Sequence, residues 1–172
     1  LPVAVGAAGA LLEYVKSTQR VNPAHIAQLA VEDAGELIRM DAATRRNLEL
    51  TETIRGEPSP TLASLLDGCA TSMGSRLLRH WLHHPIRRHD KLARRLQAVR
   101  ALLARHGDIH AQLREVADIE RITARVALRS ARPRDLAALR DSLNALSGAK
   151  TLAASLDAPL LAELATLLPD NS

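Results

Sequence analysis

DAATRRNLEL at residues 41–50, TLASLLD at 61–67 and TSMGSRLLRHWLHHP at 71–85 form the stretch from which the rest of the chain can be read. The last of these is a helix with both ends marked. Thr71 and Ser72 can accept a hydrogen bond from first-turn N–H groups, and Pro85 biases His84 out of the helical region. The helix therefore runs for about three turns. Within it Leu77, Leu78, Trp81 and Leu82 fall at i, i+1, i+4 and i+5, which places the bulkiest side chain of the protein on one apolar stripe. That stripe is expected in a core, where truncating the tryptophan would cost about 3–5 kcal/mol.

Downstream the pattern is helical throughout. Leu92, Leu96, Val99 and Leu102 make a stripe that Gly107 should end as a C′ residue. Shorter stripes follow at Ile109, Leu113 and Val116, and at Ile119, Ile122 and Val126. Pro133 suits the first turn of a helix carrying Leu136, Leu139, Leu143 and Leu146, with Gly148 near its end. Leu160, Leu161, Leu164, Leu167 and Leu168 mark the last helix.

Upstream, residues 5–20 carry Ala8, Leu11, Leu12, Val15 and Gln19 at helical spacing until Asn22 and Pro23 interrupt it. Between residues 25 and 40 the pattern alternates. Ile26, Leu29 and Val31 precede a turn at Glu32, Asp33, Ala34 and Gly35, and Leu37, Ile38 and Met40 follow it, which predicts a short β-hairpin. Pro58 and Pro60 make residues 57–60 a loop. The expected fold is mainly α: a multi-helical bundle with one short β-hairpin in the N-terminal third.

With 172 residues, 47% of them hydrophobic, the chain has ample material for a packed core. No basic-then-apolar leader opens it and no run of about 18 apolar residues crosses it, so membrane insertion and secretion lack sequence support and a cytoplasmic location is expected. The single Cys69 cannot form an internal disulfide and has no ligand-spaced partner, so it reads as an incidental thiol. Aromatic content of 1% removes the stacking rings that single-strand binders and RNA-recognition sheets require. The first residue is Leu1 and the last helical pattern simply stops, as in an excised piece.

No catalytic, cofactor-binding or metal-binding residue is assigned. His80, His83 and His84 have a spacing that can hold a metal, but no nearby Cys and no H-E-x-x-H glutamate completes the set, so they read as a solvated helix end. His106 and His110 straddle Gly107 and are treated the same way. A G-x-S-x-G elbow and a G-x-x-x-x-G-K-[ST] loop are both missing, which leaves an enzyme reading without support. Residues 76–106 hold nine Lys or Arg against one acid, Asp90, a local charge of about +8. Arg87, Arg88, Arg94 and Arg95 are the candidates for weak phosphate contacts there. The plainer account is that such arginines pair with acids elsewhere or cover apolar surface with their stems. Asp118, Glu120, Arg121 and Arg125 read either as a helix cap with surface ion pairs or as partners for helices outside this chain.

One resemblance organises these segments. Asp41, Thr44 and residues 47–50, then Thr61, Leu62, Leu66 and Asp67, then Thr71, Met73, Gly74, Arg76, Leu77, Leu78, Trp81, Leu82 and Pro85, resemble the start of the core (lever) domain of the MutS family of DNA mismatch-repair proteins. Asp118, Ile119, Glu120, Arg121 and Arg125 are similar to a following helix of that family, and so are residues 131–136 with Leu139. The order and spacing agree over roughly residues 5–150. The resemblance implies that residues 1–22 end the connector domain and that residues 23–172 form the first half of the core. It makes Leu77, Leu78, Trp81 and Pro85 structural. It further implies a homodimeric parent that binds mismatched double-stranded DNA, uses ATP and Mg, and works with a MutL-type partner through clamp and ATPase domains. In that parent this part would transmit conformational change. The alternative is an autonomous basic helical DNA-binding module.

Overall fold

The computed structural model describes residues 2–19 and 35–168. Helix α1 spans Pro2–Gln19. The short helices α2, Ala42–Asn47, and α3, Leu62–Leu66, lead into α4, Ser72–His83. Then come α5, His89–Leu102, a 3-10 turn at Leu103–Arg105, and α6, His106–Arg114. Helices α7, Ile119–Ala127, α8, Pro133–Ala154, and α9, Pro159–Leu167, complete the chain.

The helix starts follow from side-chain caps. Asp41 Oδ1 accepts from the Thr44 N–H at 2.6 Å, Thr61 Oγ1 from Ser64 at 3.1 Å and Thr71 Oγ1 from Gly74 at 3.0 Å. Each satisfies an amide that has no intrahelical acceptor. At the far end of α4, His84 leaves the helical region with φ −128° and ψ 60°, as a residue before proline does. Pro133 fills the first turn of α8.

Helix α8, with 22 residues, is about 33 Å long and is the spine on which α6, α7 and α9 pack. Helix α5 lies on α9. Ala98 of α5 is buried with Ala158 and Leu161, and Ala101, Leu102, Ala153, Leu156 and Leu160 pack around them. Alanines at the α5 contact let two backbones approach closely, so the face that α5 buries is its small-residue face. Leu92, Leu96 and Val99, expected to point inward, are instead exposed. The face α8 buries carries Ser142, Ala149 and Leu152.

Three sequence expectations are corrected. The β-hairpin is not formed: among the described residues there is no strand. Residues 20–34, with its expected first arm, lie outside the described residues. Its second arm pairs elsewhere, as Leu37 makes an isolated antiparallel bridge with Ile86. The Ile38 N–H donates to Pro85 O at 2.8 Å and the Arg87 N–H to Glu36 O at 2.8 Å. Pro85 follows the end of α4, and its carbonyl is free of the helix, so the alternating segment docks there. Gly107 does not terminate α5. It sits in the first turn of α6, which makes His106 and His110 members of one helix. Gly148 does not mark a helix end either, because α8 runs on to Ala154 and a Cβ at residue 148 would lie 3.3 Å from the Gln112 side chain of α6.

Candidate functional site

Polar and charged side chains from distant parts of the sequence meet around α4. The Arg76 guanidinium donates to both oxygens of Asp118 at 2.8 Å each and to Glu120 Oε2 at 2.6 Å. Ser72 Oγ donates to Asp118 Oδ2 at 2.9 Å, while Asp118 Oδ1 accepts from the Arg121 N–H at 3.2 Å as the cap of α7. One carboxylate thus joins the first turns of α4 and α7. Its side chain is only 18% exposed. The Arg76 hydrogen bonds hold the carboxyl far below the ordinary carboxylate range against the opposing effect of burial. The same partners push the Arg76 guanidinium upward. Such a planar, two-bond pairing fixes orientation as well as charge.

A second ion pair continues the chain of contacts. Arg125 Nε and Nη2 donate to Asp135 at 3.1 and 2.9 Å, and Asp135 Oδ2 also accepts the Arg132 N–H at 2.9 Å. This joins the end of α7 to the start of α8. Inside, Ser142 Oγ donates to Ala138 O at 2.6 Å and accepts from the Ala117 N–H at 2.9 Å, so a fully buried hydroxyl on α8 holds the loop between α6 and α7. Sequence reasoning missed Ser142. Its only signal was a small polar residue in register with Ala149 and Leu152.

The remaining contacts of α4 are also polar. Ser75 Oγ donates to Asp67 Oδ1 at 2.8 Å, which lowers the Asp67 pKa. Gly74 stands against Cys69, where an added Cβ would meet the Cys69 Cβ at 3.2 Å. Cys69 itself is exposed, and partial desolvation followed by the Asp67 carboxylate raises its thiol pKa, which disfavours the reactive thiolate. The expectation that the α4 stripe sits in a core does not match its surroundings. Trp81 is 41% exposed, Leu77 is 48% exposed, Leu78 and Pro85 are half-buried, and no residue of α4 is fully buried.

The four candidate phosphate arginines have separate surroundings. Arg95 stacks over the Trp81 ring with its guanidinium carbon 4.1 Å from the centroid. Arg94 pairs with Glu163 of α9. Arg88 pairs with Asp90 and Glu36. Arg87 is exposed and contributes its backbone N–H to Glu36. The histidines also diverge. His80 and His84 rings stack 4.4 Å apart, while His83 Nε2 lies 2.9 Å from Thr51 Oγ1.

A shallow cleft of about 430 Å³ opens beside that last contact. Arg45 and Arg46 of α2, Thr51, Thr53 and Arg55 of the following loop, and His83 of α4 line it. Partial burial, then the Arg45 charge, hold the His83 imidazole below its ordinary pKa.

The model of MutS domain III matches residues 43–171, which takes in α4, α7 and α8 together with the ion pairs that join them. No helix among the described residues is long and apolar enough to cross a membrane. The chain belongs to the MutS family of DNA mismatch-repair proteins.

Proposed function

We propose that this chain is a mechanical part of a MutS-type protein: the end of the connector, residues 1–22, followed by the first half of the core or lever domain, residues 23–172. The observation that carries this reading is the run of orienting ion pairs from Arg76 through Asp118 and from Arg125 to Asp135, which couples α4, α7 and the long α8. Packed helices with two discrete arrangements transmit displacement, and fixed pairings of this kind preserve the angles between them. In the parent, this part would link a DNA clamp to an ATPase end. Homodimerisation, binding of mismatched duplex, cytoplasmic location and a MutL-type partner belong to the same proposal. ATP and Mg would be bound by the parent's ATPase part. The residues present here do not fit them as a catalytic site, since no G-x-x-x-x-G-K-[ST] loop occurs, and no step of hydrolysis is assigned to this chain.

In a parent carrying clamp and ATPase domains, Asp118→Asn should reduce the stimulation of ATP turnover by mismatched duplex while leaving basal turnover in place. Unchanged stimulation would overturn the coupling role. The 172-residue chain alone should show neither ATP turnover nor a preference for mismatched over matched duplex, and a reproducible preference would favour the autonomous DNA-binding alternative. Arg94 and Arg95, already engaged with Glu163 and Trp81, weigh against that alternative.

A further inference from the structure

We infer that the cleft between α2, the loop after it and α4 is a binding site for a phosphate-class oxyanion. Several arginines elsewhere in the chain are matched to carboxylates: Arg76 to Asp118 and Glu120, Arg88 to Asp90 and Glu36, Arg125 to Asp135. What sets Arg45, Arg46 and Arg55 apart is that they lie together. None makes an ion pair among the described residues, and all three line one concavity. The single acid on its wall is Glu52. Other nearby carboxylates are accounted for differently, as Glu49 Oε1 accepts the Ile54 N–H at 2.7 Å.

The donors between the arginines suit the same ligand. Thr53 Oγ1 accepts from the Glu57 N–H at 3.0 Å, so its own proton remains available to a third partner. Thr51 and His83 share one hydrogen bond at 2.9 Å, which holds a hydroxyl and an imidazole on the wall of the cleft. The loop keeps its shape through its own bonds: the Thr53 N–H donates to Glu57 O, and the Gly56 N–H to Thr53 O, both at 2.8 Å. Arg46 Nη2 donates to Ile54 O at 3.4 Å, which draws the α2 guanidinium toward the loop. Guanidinium forks match phosphate oxygens two at a time, and hydroxyl donors fill the remaining acceptor positions. The position of Arg45 and Arg46 in the last turn of α2 explains why cations are tolerated there. It does not explain why Arg55 and two threonines face them.

An occupying anion would also act on His83. The imidazole is surrounded by Arg45 of α2, Glu52 of the loop and His84, which caps α4. A bound phosphate would offset the Arg45 charge and raise the His83 pKa. This site is independent of the lever proposal and does not need the rest of a MutS protein.

The test is amide and imidazole NMR of the full 172-residue chain, titrated at constant ionic strength with inorganic pyrophosphate and, separately, with a short matched DNA duplex. Pyrophosphate should give saturable shifts at Thr51, Thr53 and Gly56 and an upward movement of the His83 pKa by at least half a unit. Arg45→Gln with Arg46→Gln should weaken the affinity at least tenfold while the spectrum elsewhere stays folded. Duplex shifting the same amides would identify the source as nucleic-acid backbone, and pyrophosphate alone would identify a free phosphate. Both outcomes support the site. Shifts of equal size around the exposed Arg114 and Arg134, an equal response to chloride, or binding of an acidic peptide but neither phosphate ligand would overturn it.

Discussion

Helix α4 and the α5–α9 contact hold the same protein together by opposite means. At α5–α9, Ala98, Ala158 and Leu161 are removed from water and the Arg94–Glu163 pair lies at the exposed edge of the contact. No residue of α4 is fully buried, yet the helix touches the loop after α3, the start of α7, the loop after α2 and α5 through Asp67, Asp118, Thr51 and Arg95. Burial is nondirectional and tolerates small slides, whereas a two-bond carboxylate–guanidinium pair fixes an angle. A helix with a strongly apolar stripe can thus still be positioned mainly by its polar face.

The largest expected effect lies on the buried side. Leu161 is 7% exposed and packs against Ala98, so Leu161→Ala should cost about 2–4 kcal/mol through lost transfer energy and the cavity left behind. Urea unfolding monitored by circular dichroism reads this directly. A loss as small as that for an exposed leucine such as Leu96 would erase the distinction between the two regions.

What could be read from sequence follows the same divide. Caps and proline-marked boundaries are legible because they are local: Thr71, Pro85 and Pro133 act within one turn, whereas Gly107 and Gly148 lie inside helices. Helix faces are less so. Spacing of Leu92, Leu96, Val99 and Leu102 marks the helix, but of the four Leu102 alone packs against the core, and the contact centres on Ala98 with Ala101, whose small size lets the helices approach. Alternation at Leu37–Met40 predicts a hairpin arm, but its partner is the segment after α4, which lies far along the sequence and leaves no local pattern. Asp118 and Arg76 were both noticed, and their meeting was not, as 42 residues separate them. The cleft lined by Arg45, Arg46 and Arg55 had no motif to announce it.

Next in size is Asp118→Ala, which removes the α7 cap and the Arg76 pairing together and should cost about 2 kcal/mol. Its pH dependence carries a sign. The folded-state pKa is depressed, so the contribution is complete above the ordinary Asp value and is lost as pH falls through the folded pKa. Stability measured from pH 6 downward should therefore fall more steeply below about pH 4 in the parent sequence than in Asp118→Asn. Parallel curves would show that the pair does not hold the two helices.

Trp81→Ala separates the regions more finely. Sequence alone sets its cost at the level of a buried aromatic residue, but with 41% of the residue exposed and one face under Arg95 the expected loss is about 1–2 kcal/mol. Arg95→Gln should leave stability within about 1 kcal/mol and change the Trp81 fluorescence, because it removes the cation over the only indole. A loss above 3 kcal/mol for Trp81→Ala would mean that α4 is held by burial after all.

The smallest effect concerns the apolar surface that neither means of attachment covers. Both C-terminal leucine stripes are candidates by sequence for self-association, and the structure separates them. On α9, Leu161 is buried and Leu160 packs on the α5 contact, which leaves Leu164 and Leu167 as the exposed leucines of the stripe within that helix. On α8, Leu136 is 52% exposed and joins the half-buried Leu139 and Leu143 along a shallow groove bordered by Arg140 and Asn144. A contiguous apolar groove is a surface that two copies can share around a two-fold axis. Its short length and the flanking Arg140 keep the gain small, so the association expected is weak, in the micromolar to millimolar range. Light scattering over that range should show reversible growth in mean mass, abolished by Leu139→Glu with Leu143→Glu and retained in Leu164→Glu. A monomer throughout, or equal sensitivity to the α9 substitution, would show that the exposed leucines of α8 do not form this contact.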